Sequence, residues 1–287
     1  MFSRLLKHEW KASAGILGIL SLAVLGMGIA DTVVLRLLLA HSEKMELLSR
    51  AATAFEVMAT VAMSMFLFFS VVAISLYVIA VQFILLYRFY KNKFTDEGYL
   101  TFTLPVKTTH IFWSSFLNML LWLLISVAVV VIIVFMVVLF GTAESGLINK
   151  DIFPVFEQII YFFVEADWNI ILKETGGAAY LVIMGLTVLV SPFYTLSVPM
   201  CCITIGAVLA KKHKILASFG IYYGVNFVVG IITSAATIVP SVFLLANNNV
   251  AAYYTVSSAI QLVITIGLAM GAYFMTIHLM KKKLNLP

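Results

Sequence analysis

Long apolar runs separated by short polar segments make up almost all of the chain. Six of them read as helices: Ala12–Ala40, Ala51–Tyr87, Ile111–Phe140, Ala178–Ala210, Ile215–Ala246 and Ala251–Met280. Each exceeds the ~20 apolar residues that carry a helix across a bilayer core. None shows the short alternating segments of an outer-membrane barrel strand. The expected fold is all-α: a polytopic membrane protein of six transmembrane helices, forming one transmembrane domain over 1–287.

The polar segments are informative because they are few. In residues 1–11, Phe2, Leu5, Leu6 and Trp10 share one helical face, and Arg4, Lys7 and Lys11 lie opposite. This pattern predicts an N-terminal amphipathic helix in the inner membrane interface, its apolar side in lipid and its cations near anionic headgroups. Glu9 projects from the apolar side. Two readings of it stand: a contact with protein, or a carboxylate snorkelling at the helix margin.

The second run is far longer than a crossing requires, so its helix is expected to project into the cytoplasmic loop 88–110. There Thr95 has the character of an N-cap, with Asp96 and Glu97 in the first turn complementing the helix dipole. Gly98 follows, and Pro105 stops a helix. One or two turns would then present Tyr99, Leu100, Phe102 and Leu104. Such a surface in a water-facing loop is either a binding patch or a segment that re-enters the headgroup layer. After the third run, 141–177 reads as an outer segment with an amphipathic helix carrying Ile152, Phe156, Ile159, Phe163 and Ile170 on one face.

Charge orients the spans. Thirteen of the 18 Lys and Arg fall in the termini and the second and fourth connections: Arg4, Lys7, Lys11, Arg88, Lys91, Lys93, Lys107, Lys211, Lys212, Lys214, Lys281, Lys282 and Lys283. Positive-inside bias places both termini in the cytoplasm. Of the 13 acidic residues only Glu9, Asp96 and Glu97 lie on that side. With 63% apolar and 11% charged residues and a mean hydropathy of +1.08, a soluble globular domain and a disordered chain are both excluded. The net charge of +5 follows the membrane sides and accompanies no nucleic-acid-binding motif.

Catalytic chemistry is missing. No H-E-x-x-H or G-x-S-x-G motif occurs, and the five His are scattered. Gly141-Thr-Ala-Glu-Ser-Gly146 has the glycine spacing of a P-loop, but Leu147 stands where lysine is needed. Cys201 and Cys202 have no metal-ligand spacing and read as small buried hydrophobes. Asp31, Arg36 and Glu56 fall near the outer ends of their spans, which disfavours an ion relay at mid-depth. Asn118, Asn226 and Gln261 read as helix–helix hydrogen-bonding residues. Gly220-x-x-x-Gly224 and Gly267-x-x-x-Gly271 suit close helix approach, within the bundle or across a dimer. Pro192 and Pro199 are expected to interrupt the fourth span. No enzyme activity, metal or cofactor is expected in this chain.

Met1-Phe-Ser-Arg-Leu-Leu-Lys-His-Glu-Trp-Lys-Ala12, the loop Arg88–Val106 with its Asp96–Pro105 run, and Lys211-Lys-His-Lys-Ile215 resemble the permease subunits of type-2-class ATP-binding cassette (ABC) exporters of Firmicutes. The resemblance implies a coupling helix over Asp96–Leu104 that docks on a separate ABC ATPase subunit. Two ATPases, which bind the ATP and magnesium, would work with this permease and a second copy or paralogue in the plasma membrane of a Gram-positive bacterium, among membrane lipids. The implied substrate is an amphipathic peptide of the toxin, bacteriocin or phenol-soluble-modulin kind. A reading from another class is a membrane-resident peptide-sensing or immunity subunit that binds peptide without translocating it.

The charge asymmetry has a direct test. In intact cells, single cysteines from Lys44→Cys or Asn149→Cys are expected to react with an impermeant maleimide, and those from Lys212→Cys or Lys282→Cys are not. Labelling of the Lys282 position from outside would overturn the six-span topology.

Overall fold

The computed structural model describes residues 2–48, 54–95, 98, 107–141, 177–210, 212–247 and 249–282. They form six long helices: α1 (Phe2–Leu48), α2 (Ala54–Phe94), α3 (Thr108–Met136, with a terminal π-turn Val137–Gly141), α4 (Gly177–Leu209), α5 (Lys214–Ala246) and α6 (Val250–Lys282). All six are long and apolar enough to cross a membrane. No strand occurs among the described residues. The fold is an all-α, multi-pass membrane protein. Segment 142–176 lies outside the described residues, so the amphipathic helix expected there does as well.

Two of the expected boundaries move. α1 is one helix of 47 residues, so segment 1–11 is continuous with the first span rather than a separate interface helix. The reason is local: nothing between Trp10 and Ala14 breaks a helix, and glycine at 15 costs a long helix only about 1 kcal/mol. α4 runs unbroken through Pro192 and Pro199, against the interruption expected of them. Proline at 192 has no N–H for the Val188 carbonyl, and the Ser191 hydroxyl donates to that carbonyl instead at 3.1 Å. Hydroxyl substitution of this kind lets a membrane helix keep a proline. α5 likewise carries Pro240.

Large apolar side chains cover the outside, including Ile19, Phe55, Leu216 and Phe227, each at least 71% exposed. In water such a surface would aggregate; facing lipid, it is the expected exterior.

The single transmembrane domain expected over 1–287 is made of two compact units. The first comprises Met1–Lys7, Leu85–Leu120 and Asp167–Pro287. In it α4, α5 and α6 pack on one another. Gly206 of α4 lies against the first turn of α5, so close that a Cβ there would stand 2.8 Å from the Ser218 nitrogen and 2.9 Å from its Cα. Tyr194 of α4 donates to Asn226 Oδ1 of α5 at 3.5 Å, a helix–helix role for Asn226. At the N-terminal ends of α4 and α6 the Tyr180 and Tyr254 rings meet, with centroids 6.5 Å apart.

The second unit comprises His8–Ile84 and Leu121–Ala166. Ser21 of α1 and Tyr77 of α2 share a buried hydrogen bond of 2.7 Å. Gly28 of α1 receives Ile133 of α3, whose γ carbons would lie 2.7 Å from an added Cβ. Both contacts follow the membrane rule that small residues and hydroxyls hold helices together.

Gly206 and Gly224 therefore separate two kinds of glycine. A Cβ at Gly220, Gly224, Gly267 or Gly271 would meet nothing within 4 Å. Among the described residues, none therefore packs closely on these four glycines. Gly206→Leu is expected to lower stability by about 1–3 kcal/mol through overpacking against the Ser218 backbone, whereas Gly224→Leu should leave the protomer's thermal unfolding in detergent unchanged. A stability loss at Gly224 equal to that at Gly206 would contradict this assignment.

Candidate functional site

The segment with most of the sequence-predicted residues begins at the polar end of α2. Phe89 and Phe94 are each 3% exposed and pack edge to face at 5.6 Å, with Tyr90 stacked on Phe94 at 6.4 Å. Lys93, between them in sequence, is buried too. Thr95 then closes the helix. Its hydroxyl donates to the Lys91 carbonyl at 2.5 Å, and its own carbonyl accepts from the Gly98 N–H at 2.8 Å. Thr95 thus serves the C-terminus of α2 with its side chain, while the helix it was expected to cap falls largely outside the described residues. The reason is geometric: the helix runs to Phe94, so the first carbonyl without a helical N–H partner lies one turn behind Thr95.

Gly98 is buried in the turn that follows. Asp96, Glu97, Tyr99, Leu100, Phe102, Leu104 and Pro105 lie outside the described residues. The chain returns at Lys107, whose carbonyl accepts from His110 at 2.9 Å and opens α3. His110 faces the Phe2 ring at 5.9 Å, within the same unit.

The N-terminal face has the polarity expected of it. Phe2, Leu5, Leu6 and Trp10 are half-buried, and Ser3, Arg4, Lys7, His8 and Lys11 are exposed. At Trp10 that face packs on protein. The Trp10 ring stacks on Trp122 of α3 at 5.0 Å and 19°. The Trp122 indole N–H donates to the Ser13 hydroxyl at 3.0 Å, and that hydroxyl reaches back to the Glu9 carbonyl at 3.0 Å. Glu9 itself is 7% exposed, which removes the snorkelling alternative and leaves the contact with protein.

Asp31 and Arg36 occupy different faces as expected, the first buried and the second exposed. Cys201 and Cys202 are free and buried, in keeping with their reading as small hydrophobes. No group of His, Cys, Asp or Glu able to hold a metal occurs among the described residues.

Several residues that organise these regions were not singled out by the sequence reading. Gly28 and Gly206 are the glycines in tight contact, and their signal is the small-xxx-small spacing of Gly28-x-x-x-Thr32 and Gly206-x-x-x-Ala210. Trp122 and Ser13 had no sequence signal, since their pairing depends on where α1 meets α3.

No family model, curated protein or solved structure matches this chain.

The Trp10–Trp122 stack is open to test. Trp10→Leu keeps an apolar side chain but loses the ring pair, and is expected to cost about 1 kcal/mol. Trp10→Phe should restore most of it. Thermal unfolding of the detergent-solubilised protein measures both, and equal stability of all three proteins would remove the stack from the account.

Proposed function

We propose that this chain is the transmembrane permease subunit of an ATP-driven ABC exporter, moving amphipathic peptides outward. The observation that carries the reading is the length and ending of α2. Its 41 residues rise about 60 Å at ~1.5 Å per residue, against a hydrocarbon core of ~30 Å. The excess carries Lys91 and Lys93 and ends in the aromatic cluster of Phe89, Tyr90 and Phe94. A helix that leaves the bilayer as a rigid rod, locked at its tip, can pass a displacement from a docked partner to the span. The residues just beyond it, Asp96 to Pro105, supply what a docking segment needs: acidic first-turn residues, large apolar anchors and a proline stop.

In this reading the chain hydrolyses nothing. Two ATPase subunits bind ATP and magnesium and dock on Tyr99, Leu100, Phe102 and Leu104. Asp96 and Glu97 face cations on that partner, and Gly98 and Pro105 set the two ends of the segment. A second permease copy or paralogue completes the translocation path, in the plasma membrane of a Gram-positive cell. Gly220, Gly224, Gly267 and Gly271 have open space for such a copy, since among the described residues nothing lies within 4 Å of a Cβ added at any of them.

Leu100→Ala combined with Phe102→Ala is expected to weaken ATPase docking by roughly 2–4 kcal/mol, the range of paired interface hot spots. The variant should still insert, because no span is altered. Co-purification of the neighbouring ATPase with wild-type and variant permease is the measurement. Equal recovery together with unchanged peptide-stimulated hydrolysis would refute the coupling role. Peptide protection without any ATP dependence would favour the sensing or immunity reading instead.

A further inference from the structure

We propose that the exposed face of α1 binds an anionic phospholipid, with its phosphate on Lys7 and Lys11 and an acyl chain running over Gly15, Ile19 and Leu22. The assignment does not depend on what the chain transports. Its basis is the continuity of α1. Residues 1–11 were expected to lie in the membrane interface with their apolar side in lipid. They are instead the first turns of one 47-residue helix, so the rotation of those turns is the rotation of the span.

That rotation puts the cations on the lipid side. At 3.6 residues per turn, Arg4, Lys11, Gly15, Leu22, Gly26 and Ile29 fall within about 60° of one another around the axis, with Lys7 and Ile19 at the margins. All eight are exposed, Ile19 and Leu22 at 72% and 69%. The other side of α1 carries its contacts with neighbouring helices, Ser21 with Tyr77 of α2 and Gly28 against Ile133 of α3. The stripe that faces lipid along the span is therefore the one that becomes cationic at its start. Glu9, the one carboxylate in the first 30 residues, lies on the opposite side and is buried. Nothing acidic interrupts the stripe.

Heights along the axis fit one lipid of the leaflet in which α1 begins. Lys11 is the last charged residue before the apolar run that starts at Ala12, which sets it at the edge of the hydrocarbon. Lys7 stands about 6 Å farther out and Arg4 about 10 Å, across a headgroup layer that adds about 5–8 Å to each side of the core. A Cβ added at Gly15 would meet nothing within 4 Å, so the stripe is shallow and open one turn below Lys11. Charge selects the headgroup. Phosphatidylcholine brings its own cation to the phosphate, whereas an anionic lipid leaves that charge to the lysines. Each cation near an anionic surface is worth about a fivefold gain in binding.

The test uses the full-length protein in nanodiscs of equal phosphatidylglycerol and phosphatidylcholine. Neither ATPase nor peptide is present, so the outcome is independent of the transport reading. Ile16→Cys carries a benzophenone, the native Cys201 and Cys202 being buried. After irradiation, lipid adducts are counted by mass spectrometry. Phosphatidylglycerol adducts are expected to exceed phosphatidylcholine adducts about tenfold or more, and to match them when the benzophenone sits on Phe227→Cys at the exterior of α5. Lys11→Gln should lower the preference about fivefold. Lys7→Gln combined with Lys11→Gln should remove it, while Lys11→Arg keeps it. Raised salt, which needs no substitution, should erase it in the parent by screening the headgroup charge. A ratio at position 16 equal to that at position 227 would overturn the site, as would a preference that survives both glutamines and salt. Absence of any lipid preference, with the double variant losing the neighbouring ATPase on co-purification, would give these cations to an acidic protein surface instead.

Discussion

Hydrocarbon offers no hydrogen bonds, so each polar group that enters it has to find its partner on its own helix or the next one. Much of this protein's detail follows from that constraint. The backbone is satisfied by making helices and little else. Side-chain hydroxyls mostly turn back on the preceding turn: Ser21 on Leu17, Thr32 on Gly28, Thr204 on Met200 and Thr276 on Ala272, each at 2.7–2.8 Å. Those that reach another helix meet a long aromatic side chain there, Ser21 with Tyr77 and Ser13 with Trp122. Ser21 does both, and through Tyr77 it ties α1 to α2 at a single point.

The same constraint explains why long helices here outrun their spans. Once a helix emerges into the headgroup layer, its end needs capping by side chains or by a turn, and the chain offers few polar residues for the purpose. At the end of α2 the Thr95 hydroxyl and the Gly98 amide supply it. At its start α1 runs straight into the first span, and Trp10 anchors its amphipathic face on Trp122. Aromatic packing stiffens these ends, Trp10 on Trp122 and Phe89 against Phe94. Stacked and edge-on rings retain their strength at a boundary where exposed salt bridges lose most of theirs to water.

The sequence made the six helices legible because hydropathy over 20 residues is a strong signal; the ends of α3 to α6 fell within a few residues of expectation, while α1 and α2 ran on past theirs. The amphipathic face of residues 2–10 was legible too, since its 3.6-residue period needs no tertiary information. What that face meets was not, because lipid and a neighbouring helix present the same apolar surface to Leu5 and Leu6. The prolines misled for a related reason. Proline at 192 breaks a helix only if its freed carbonyl stays unpaired, and the adjacent serine decides that. Glycine spacing reports which faces can approach, while the fold decides which do: Gly28 and Gly206 are engaged, and Gly220 and Gly224 are open among the described residues.

Within α4 the two prolines make a comparison that bears on how the bundle uses polarity. Ser191 precedes Pro192 directly and donates to the carbonyl that the proline leaves without an N–H. Ser197 stands two residues before Pro199, and its hydroxyl pairs with nothing. The difference is one of register: a one-residue step turns a side chain about 100° around the helix axis. That rotation takes the second hydroxyl away from the Thr195 carbonyl, the one that Pro199 leaves without an N–H. Repair of a proline in a membrane helix thus depends on the register of the hydroxyl, not only on its nearness in sequence.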